Sequence, residues 1–287
     1  MKRTAASSTE SHNYIRKKIK MKLRLSKVLW SHRELWWRLT ERDVLGRYRG
    51  SLLGMTWSFL NPLAMLAVYT FVFSQIFKAR WGNLENEGPL GFAINLFAGL
   101  IVFNMIAECL TKAPGLIVAN PNYVKKVIFP LEVLPCVAVS SALFHALTSL
   151  VVLTLFQLIA RHGLPISSLW LPLVWLPLLL GCLAATWILA SLGVFLRDIG
   201  QFIAVLVSIM MFMSPIFYPA SALPHKLQPL LAISPITQVI EQTRKVLITG
   251  ERPSFLYIVI GCLLSGLAAE LGLRFFEKSK RAFADVI

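Results

Sequence analysis

Long apolar runs constrain this chain more than any other feature of its sequence. Six of them recur, each of at least about 20 residues, the length that a helix needs to cross the hydrocarbon core of a bilayer. Backbone polar groups find no water in lipid, so such runs must form helices or closed barrels, and these lack the alternating pattern of barrel strands. The sequence therefore predicts an all-α polytopic membrane protein with six transmembrane helices, at residues 58–77, 90–111, 133–160, 169–196, 199–218 and 255–276.

The charge distribution predicts the orientation of these helices. Lys and Arg number 29 against 14 Asp and Glu, yet only 15% of residues are charged and 56% are hydrophobic. A nucleic-acid-binding protein would carry such an excess on a folded polar face. Here most of the cations precede residue 58 or fall in loops on one predicted side of the membrane. The positive-inside rule therefore predicts a protein of the cytoplasmic membrane with both termini in the cytoplasm. Residues 1–57 contain no apolar stretch of the kind a secretory signal needs.

Four regions follow from this pattern. Residues 1–27 form a basic tail, residues 28–57 an amphipathic N-terminal interface helix with an elbow, residues 58–276 the six-span domain, and residues 277–287 a cytoplasmic C-terminal tail. Tryptophans beside many charges favour a helix in the membrane interface over an ordinary solvated helix. Gly46, Gly50 and Gly54 recur every four residues, which fits either one closely packed helix face or a flexible elbow.

Two loops carry patterns of their own. The loop after the second span is broken by four prolines and leaves one short helix over residues 122–129, with Lys125 and Lys126 on one side. This short helix either docks on a partner protein or packs against its own bundle. The long loop between the fifth and sixth spans contains a helix ending at Gly250, either in a hairpin dipping into the outer leaflet or on the surface.

The sequence offers little catalytic chemistry. It has no GxxxxGK[ST] phosphate loop and no His or Cys cluster for a metal. Three ionisable residues within the spans, Glu108, His145 and Glu270, are functional candidates because charge in lipid is costly. The two glutamates lie near span ends with Lys112 or Arg274 close in sequence, which favours structural ion pairs over a proton relay. The four cysteines fall inside spans and are interpreted as small apolar residues.

Aromatic residues are abundant in the first, second and fifth spans. Aromatic faces suit the polarised C–H groups of sugar rings, so some of these rings are candidates to line a glycan channel. Most such rings are expected to face lipid or neighbouring helices instead. The candidates are Phe59, Tyr69, Phe73, Phe103, Phe212, Phe217 and Tyr218.

Two motifs resemble those of a known family. Arg42-Asp43, Arg47-Tyr48, Ser51, Leu53-Gly54, Trp57 and Pro62 are similar to the R-D-x-x-x-R-Y-x-x-S-x-L-G-x-x-W-x-x-x-x-P pattern of membrane subunits of type-2 ABC exporters of polysaccharide. Residues 120–135 resemble the N-x-x-L-x-K-K-x-x-F-P-x-E-x-L-P stretch of that family, with Tyr123 in the usual aliphatic position. The terminal residues 283–287 also look like the family's tail, so the resemblance extends from Leu35 onward.

The resemblance implies a permease subunit that forms a homodimer with two copies of a separate ATPase. ATP and Mg would be bound by that partner, and this chain would hold no cofactor and no metal. The loop after the second span would be the coupling helix, with Asn122, Tyr123, Lys125, Lys126 and Phe129 as its contacts. The loop between spans five and six would form periplasmic gate helices.

The N-terminal helix would frame the cytoplasmic entrance for a lipid-linked glycan. The leading substrate is an O-antigen on undecaprenyl diphosphate. Guanidinium groups suit phosphate oxygens, so four arginines are candidates for the carrier phosphates, although binding of ordinary headgroups stays open. They are Arg38, Arg42, Arg47 and Arg49. Alternatives are a type-2 exporter of capsule, teichoic acid, drug or small lipid, and a membrane glycan-modifying enzyme, which the lack of paired carboxylates disfavours.

Overall fold

The computed structural model describes residues 30–76, 88–125, 129–161, 163–219, 228 and 233–287, and these residues form helices without any strand. The all-α prediction is thus confirmed. In chain order the α-helices are α1 (Arg33–Tyr48), α2 (Trp57–Phe71), α3 (Gly88–Lys112), α4 (Pro121–Val124), α5 (Val133–Arg161), α6 (Leu171–Phe195), α7 (Ile199–Met213), α8 (Pro235–Arg244), α9 (Phe255–Ser279) and α10 (Phe283–Val286).

Four of the predicted spans are long and apolar enough to cross a membrane. The qualifying stretches are Leu90–Gly115, Val133–Ala160, Ile166–Phe195 and Phe255–Val286, which correspond to predicted spans two, three, four and six. Helices α2 and α7 occupy the first and fifth predicted spans but have 15 residues each, fewer than the roughly 20 that a span needs. Helix α2 continues as a π-helical turn over Val72–Ile76. Six crossings therefore stay a prediction at these two positions.

Helix α3 lies at the centre of the bundle. Its residues from Phe92 to Phe103 are almost all buried, and it packs against α2, α5, α6, α7 and α8. A helix that is apolar on every side is suited to such a position because it has no polar face to expose. Helices α2, α5, α6, α7 and α9 present apolar side chains outward, as expected for surfaces in contact with lipid.

Helices α6 and α9 pack closely through small residues. A Cβ atom added at Gly272 of α9 would lie 2.8 Å from the main-chain oxygen of Ala184 in α6. Towards the opposite end of the same interface, a Cβ atom at Gly261 would lie 3.1 Å from the ring of Pro177. Small residues let helix backbones approach closely in membranes, where lipid gives apolar side chains no reason to associate.

The chain between α1 and α2 is an elbow. Helix α1 ends at Tyr48, and both Gly50 (φ 85°) and Gly54 (φ 50°) adopt left-handed backbone conformations. Glycine adopts such conformations without the steric penalty that a Cβ atom brings. The interpretation of Gly46, Gly50 and Gly54 as one helix face is therefore wrong, and the break in the helix after Tyr48 is consistent with an elbow.

Helix α8 and the turn after it pack on the bundle. The predicted end at Gly250 is confirmed, since a π-helical turn over Lys245–Thr249 follows α8 and Gly250 takes a left-handed conformation (φ 79°). Val239, Ile240 and Leu247 are buried, and α8 contacts α3 and α6, so a solvated surface helix is excluded. The hairpin stays a prediction because residues 220–227 and 229–232 lie outside the described chain.

Arg244, at the end of α8, is a buried cation that sequence reasoning did not select. Its Nε donates to the oxygen of Asn95 (3.0 Å), and its two terminal nitrogens donate to the oxygens of Pro215 (2.6 Å) and Ile216 (3.1 Å) and to the carboxylate of Glu241 (3.0 Å). Burial lowers the pKa of Arg244 to about 10, so the guanidinium is charged at neutral pH. One side chain thus joins α8 to α3 and to the chain that follows α7.

Replacing Arg244 by an apolar residue tests how much this cation contributes to the stability of the fold. Arg244→Met leaves three main-chain oxygens and the Glu241 carboxylate without their donor, so we expect a loss of about 3–5 kcal/mol of stability. Lys245→Met removes the same charge one residue later, from a side chain that is 44% exposed, and should cost less than about 1 kcal/mol. Thermal unfolding of the purified protein in detergent measures both, and equal melting temperatures would contradict this account.

A second test concerns Gly193 of α6, whose added Cβ atom would overlap the main-chain oxygen of Pro114. Because the obstacle is backbone, Gly193→Ala should destabilise the protein by about 1–3 kcal/mol. Gly181 lies in the same helix with nothing within 4 Å of an added Cβ atom, so Gly181→Ala is the matched control and should be neutral or stabilising. The same melting experiment decides, and indistinguishable variants would refute close packing at Gly193.

Candidate functional site

A polar cleft opens between α1, α3 and α5, at the end of the bundle that the charge pattern predicts to be cytoplasmic. It has a volume of about 580 Å³. We call it the arginine cleft. Its lining residues are Arg42, Asp43, Gly46, Arg47, Glu108, Thr111, Lys112 and His145.

Arg47, Glu108 and His145 converge from three different helices. One terminal nitrogen of Arg47 donates to Glu108 Oε1 at 3.0 Å and lies 2.9 Å from His145 Nδ1. The same Nδ1 is 3.1 and 3.0 Å from the two carboxylate oxygens of Glu108. The side chain of Glu108 is 18% exposed, whereas that of Arg47 is 52% exposed. A carboxylate near a span end is thus paired with a cation that reaches it from outside the span.

Asp43 and Lys112 form a second ion pair in the cleft, with Lys112 Nζ donating to Asp43 Oδ2 at 2.5 Å. Burial opposes ionisation of Asp43, but hydrogen bonding to Lys112 and Ser141 and the charges of Lys112 and Arg47 together outweigh it, so the pKa of Asp43 lies below its usual value. Asp43 is therefore ionised at neutral pH. Lys112 was expected as a partner of Glu108 because it is near in sequence, but the structure pairs it with Asp43 and gives Glu108 to Arg47 and His145.

A second cavity of about 350 Å³ continues from the cleft between α2, α3 and α5. We call it the inner cavity. It shares Arg47, Glu108 and His145 with the arginine cleft, so this cluster lies where the two spaces meet. Its other lining residues combine rings with small polar groups and include Tyr48, Trp57, Asn61, Tyr69, Phe97, Asn104 and Ser149.

The four predicted phosphate-binding arginines are all exposed. Arg42 and Arg47 line the arginine cleft. Arg38 and Arg49 lie outside its lining. The structure therefore brings two of the four candidates together around one space.

The predicted coupling segment is the loop of residues 113–132 between α3 and α5, and its described helix is shorter than expected. Helix α4 covers Pro121–Val124 rather than residues 122–129, and Lys126 lies outside the described residues. Asn122 and Lys125 are exposed. The ring of Tyr123 stacks on that of Phe129, with centroids 4.2 Å apart.

This segment contacts α1. The Arg42 guanidinium lies 5.9 Å from the centre of the Tyr123 ring, within the range of a cation–π contact. Phe129 packs against the cluster that Leu39 of α1 forms with Val133 and Val137 of α5. Residues predicted to receive a partner are therefore in contact with the helix that forms one wall of the arginine cleft.

Helix α1 is attached to the bundle on one side and exposed on the other. Trp36 Nε1 donates to the Ser140 hydroxyl at 2.9 Å, and Leu39 is buried against Val133 and Val137 of α5. Trp37 is 73% exposed on the opposite side. An exposed Trp beside many cations is consistent with a helix at the membrane surface.

The end of the coupling segment is also anchored. The main-chain oxygen of Glu132 accepts from Trp187 Nε1 at 3.1 Å, and its carboxylate accepts from Lys280 Nζ at 2.7 Å. Phe283 of α10 is fully buried beside Phe276. The C-terminal tail is thus part of the packed end of the bundle.

The aromatic channel candidates occupy separate environments. Tyr69 lines the inner cavity, Phe73 stacks on Phe92 with centroids 5.0 Å apart, and Phe103 is buried in the core. Phe59 is exposed on α2. The described chain by itself does not join them into one aromatic surface.

The remaining candidates lie at the end of α7. The rings of Phe212 and Phe217 stack with centroids 6.1 Å apart, and the Tyr218 hydroxyl donates to the main-chain oxygen of Phe212 at 3.1 Å. Phe212 is 69% exposed, so its outer face is open to lipid or to another chain.

Two other expectations concern ion pairs and metals. Glu270 pairs with Arg274 one helical turn away at 2.8 Å, as the sequence predicts. Within the described residues, no three His, Cys, Asp or Glu side chains are grouped as a metal site would need.

The sequence identifies Glu108 and His145 as unusual residues but does not predict their contact with Arg47, because the three residues are distant along the chain.

Comparisons with known proteins agree with this architecture. The model of a protein family described as "ABC-2 type transporter" matches residues 34–248. The chain is 26% identical over 250 residues to an O-antigen export system permease protein RfbA of Klebsiella pneumoniae, covering 87% of this chain and 93% of that protein. It is 26% identical over 267 residues to the protein of the same name of Myxococcus xanthus, covering 92% of this chain and all of that protein.

The family match extends from α1 to the turn after α8, so it includes both motifs, the arginine cleft and the coupling segment. The four described spanning helices make the chain a multi-pass membrane protein. The chain therefore belongs to the ABC-2 type transporter family.

Proposed function

We propose that this chain is the channel-forming permease subunit of an ATP-driven exporter of a lipid-linked polysaccharide, an O-antigen on undecaprenyl diphosphate. The relatives named as O-antigen export permeases support a polysaccharide as the substrate, and they align with nearly the whole chain. The observation that carries the proposal is the arginine cleft opening into the inner cavity. An anionic headgroup and the glycan attached to it need two such adjoining environments.

In this proposal the arginine cleft receives the carrier phosphates. Guanidinium groups bind phosphate oxygens through paired, directional hydrogen bonds, and Arg42 and Arg47 present theirs to one space. The rings and amides of the inner cavity then meet the first sugars, since aromatic faces pack on sugar C–H groups and amides bind hydroxyls. Arg38 and Arg49 remain available for headgroups at the membrane surface.

The proposal includes a second copy of this chain and two copies of an ABC ATPase. ATP and Mg are bound by the ATPase, because this sequence has no phosphate loop. Both termini and α4 lie on the cytoplasmic side of the cytoplasmic (inner) membrane, and α8 lies at the outer side as part of a gate. Contact of Tyr123 and Phe129 with α1 offers a path from the ATPase to the arginine cleft.

Neutralising Arg47 tests the substrate site. Arg47→Gln removes a charge-assisted donor from the cleft, so export of polymer to the cell surface should fall at least about tenfold while polymer accumulates in the cytoplasm. Arg197→Gln makes the same change at an exposed arginine on the same predicted side and should leave export unchanged. Surface and cytoplasmic polymer are measured in cells lacking the wild-type gene. Loss of drug resistance without polymer accumulation would point to a different cargo.

Reversing charge in the coupling segment tests the ATPase contact. Lys125→Glu with Lys126→Glu should weaken ATPase co-purification about tenfold or more and abolish stimulation of ATP hydrolysis, because unlike charges across an interface become like charges. Lys245→Glu, on the predicted outer side, is the control. Intact assembly and stimulation in the Lys125/Lys126 variant would show that the coupling assignment is wrong.

A further inference from the structure

The arginine cleft carries its own anions. Of its three lining cations, Arg47 is paired with Glu108 and Lys112 with Asp43. The two pairs differ in position, because Arg47 and Glu108 lie at the junction with the inner cavity and Asp43 and Lys112 line only the cleft. A headgroup that passes from one space to the other must meet Arg47 while Glu108 is bound to it.

We propose that Glu108 sets the headgroup selectivity of the cleft: its carboxylate occupies Arg47 in the place of a phosphate, a diphosphate displaces it, and a monophosphate does not. This inference rests on the proposed function, since it concerns the same phosphate site. It assigns to a residue of α3 the rejection of ordinary phospholipid headgroups, which carry a single phosphate.

The geometry identifies Glu108 as the fixed member of the pair. Its carboxylate is 18% exposed and is held by His145 through both oxygens, on a helix buried at the centre of the bundle. Arg47 is 52% exposed, in the last turn of α1, three residues before the left-handed Gly50. Arg47 is therefore the side chain that moves when a ligand competes for it, while His145 keeps Glu108 in position.

The charges explain the selectivity. A single phosphodiester has about the same charge as a carboxylate, so exchanging one for the other gains little and separates Glu108 from its cation. A diphosphate carries a second phosphoryl group that reaches another cation of the same cleft, and Arg42 lines it from the same helix as Arg47. A competing group built into a site is a common means of rejecting the wrong ligand.

The test measures binding of two farnesyl probes to the full-length protein in lipid nanodiscs: farnesyl methyl phosphate, a single phosphodiester (the monophosphate), and the terminal methyl ester of farnesyl diphosphate (the diphosphate). The methyl esters keep the charges at about −1 and about −2, as in a phospholipid headgroup and in a glycan-bearing diphosphate carrier. The wild type should prefer the diphosphate. Glu108→Gln removes the competing charge, so monophosphate binding should tighten about threefold to tenfold and diphosphate binding by less, which lowers the preference. Glu108→Asp keeps the charge but shortens the reach to Arg47, and should lie between the two.

Controls separate this role from general effects of charge or folding. Glu270→Gln removes a carboxylate from another intramembrane ion pair, with Arg274, and should change neither affinity. Melting temperatures report folding, and if Glu108→Gln does not fold, Glu108→Asp alone decides. Unchanged or equally changed affinities for the two probes in the folded Glu108 variants would overturn the inference.

The two proposals fail differently. If the wild type binds the diphosphate and Arg47→Gln abolishes that binding, the phosphate site stands, and an unaltered preference in the Glu108 variants then refutes only the selectivity role. If the wild type binds neither probe, both the phosphate site and the selectivity role are refuted.

Discussion

A charged group that lies among the spanning helices depends on partners within the protein, because the surrounding lipid offers none. Arg244 and Glu108 are two solutions to this constraint. Arg244 is satisfied by main-chain oxygens and one carboxylate and is sealed from solvent, which makes it a structural joint. Glu108 is paired with side chains at the edge of a cavity, where an anionic headgroup would compete for the same donor under the proposed function. The same requirement is therefore met by a fully enclosed cation near one end of α3 and by a partly exposed ion pair near the other.

The spanning helices were the most predictable part of the fold. The predicted run 133–160 and the observed α5 (Val133–Arg161) nearly coincide, because an uninterrupted apolar run in lipid has no alternative to a helix. The helix end at Gly250 was predictable from local glycine chemistry. The glycines at 46, 50 and 54 were not, since four-residue spacing fits a helix face as well as an elbow and only the backbone angles distinguish the two.

The candidate site was predictable in its residue types and not in its pairings. Arg47 belongs to a recognisable motif, and Glu108 and His145 are conspicuous as ionisable residues in apolar runs. Their convergence depends on how α1, α3 and α5 pack, which no local pattern encodes. Sequence proximity suggested Lys112 for Glu108, but Lys112 is in the last position of α3 and faces Asp43 across the interface with α1. Phe103 and Tyr69 show the same limit, because an aromatic residue in a span gives no sign of whether it faces a cavity or the core.

Glu132 fixes one end of the coupling segment to the bundle, through Trp187 of α6 and through Lys280 beyond α9. At the other end, Pro114 lies against Gly193 of α6 without room for a single carbon between them. Between these two ends, Tyr123 contacts Arg42 of α1, and Phe129 packs on a cluster that includes Leu39 of the same helix. Under the proposed function, force that the ATPase applies to this segment would therefore be passed to α1, because the two ends are held by α6 and by Lys280.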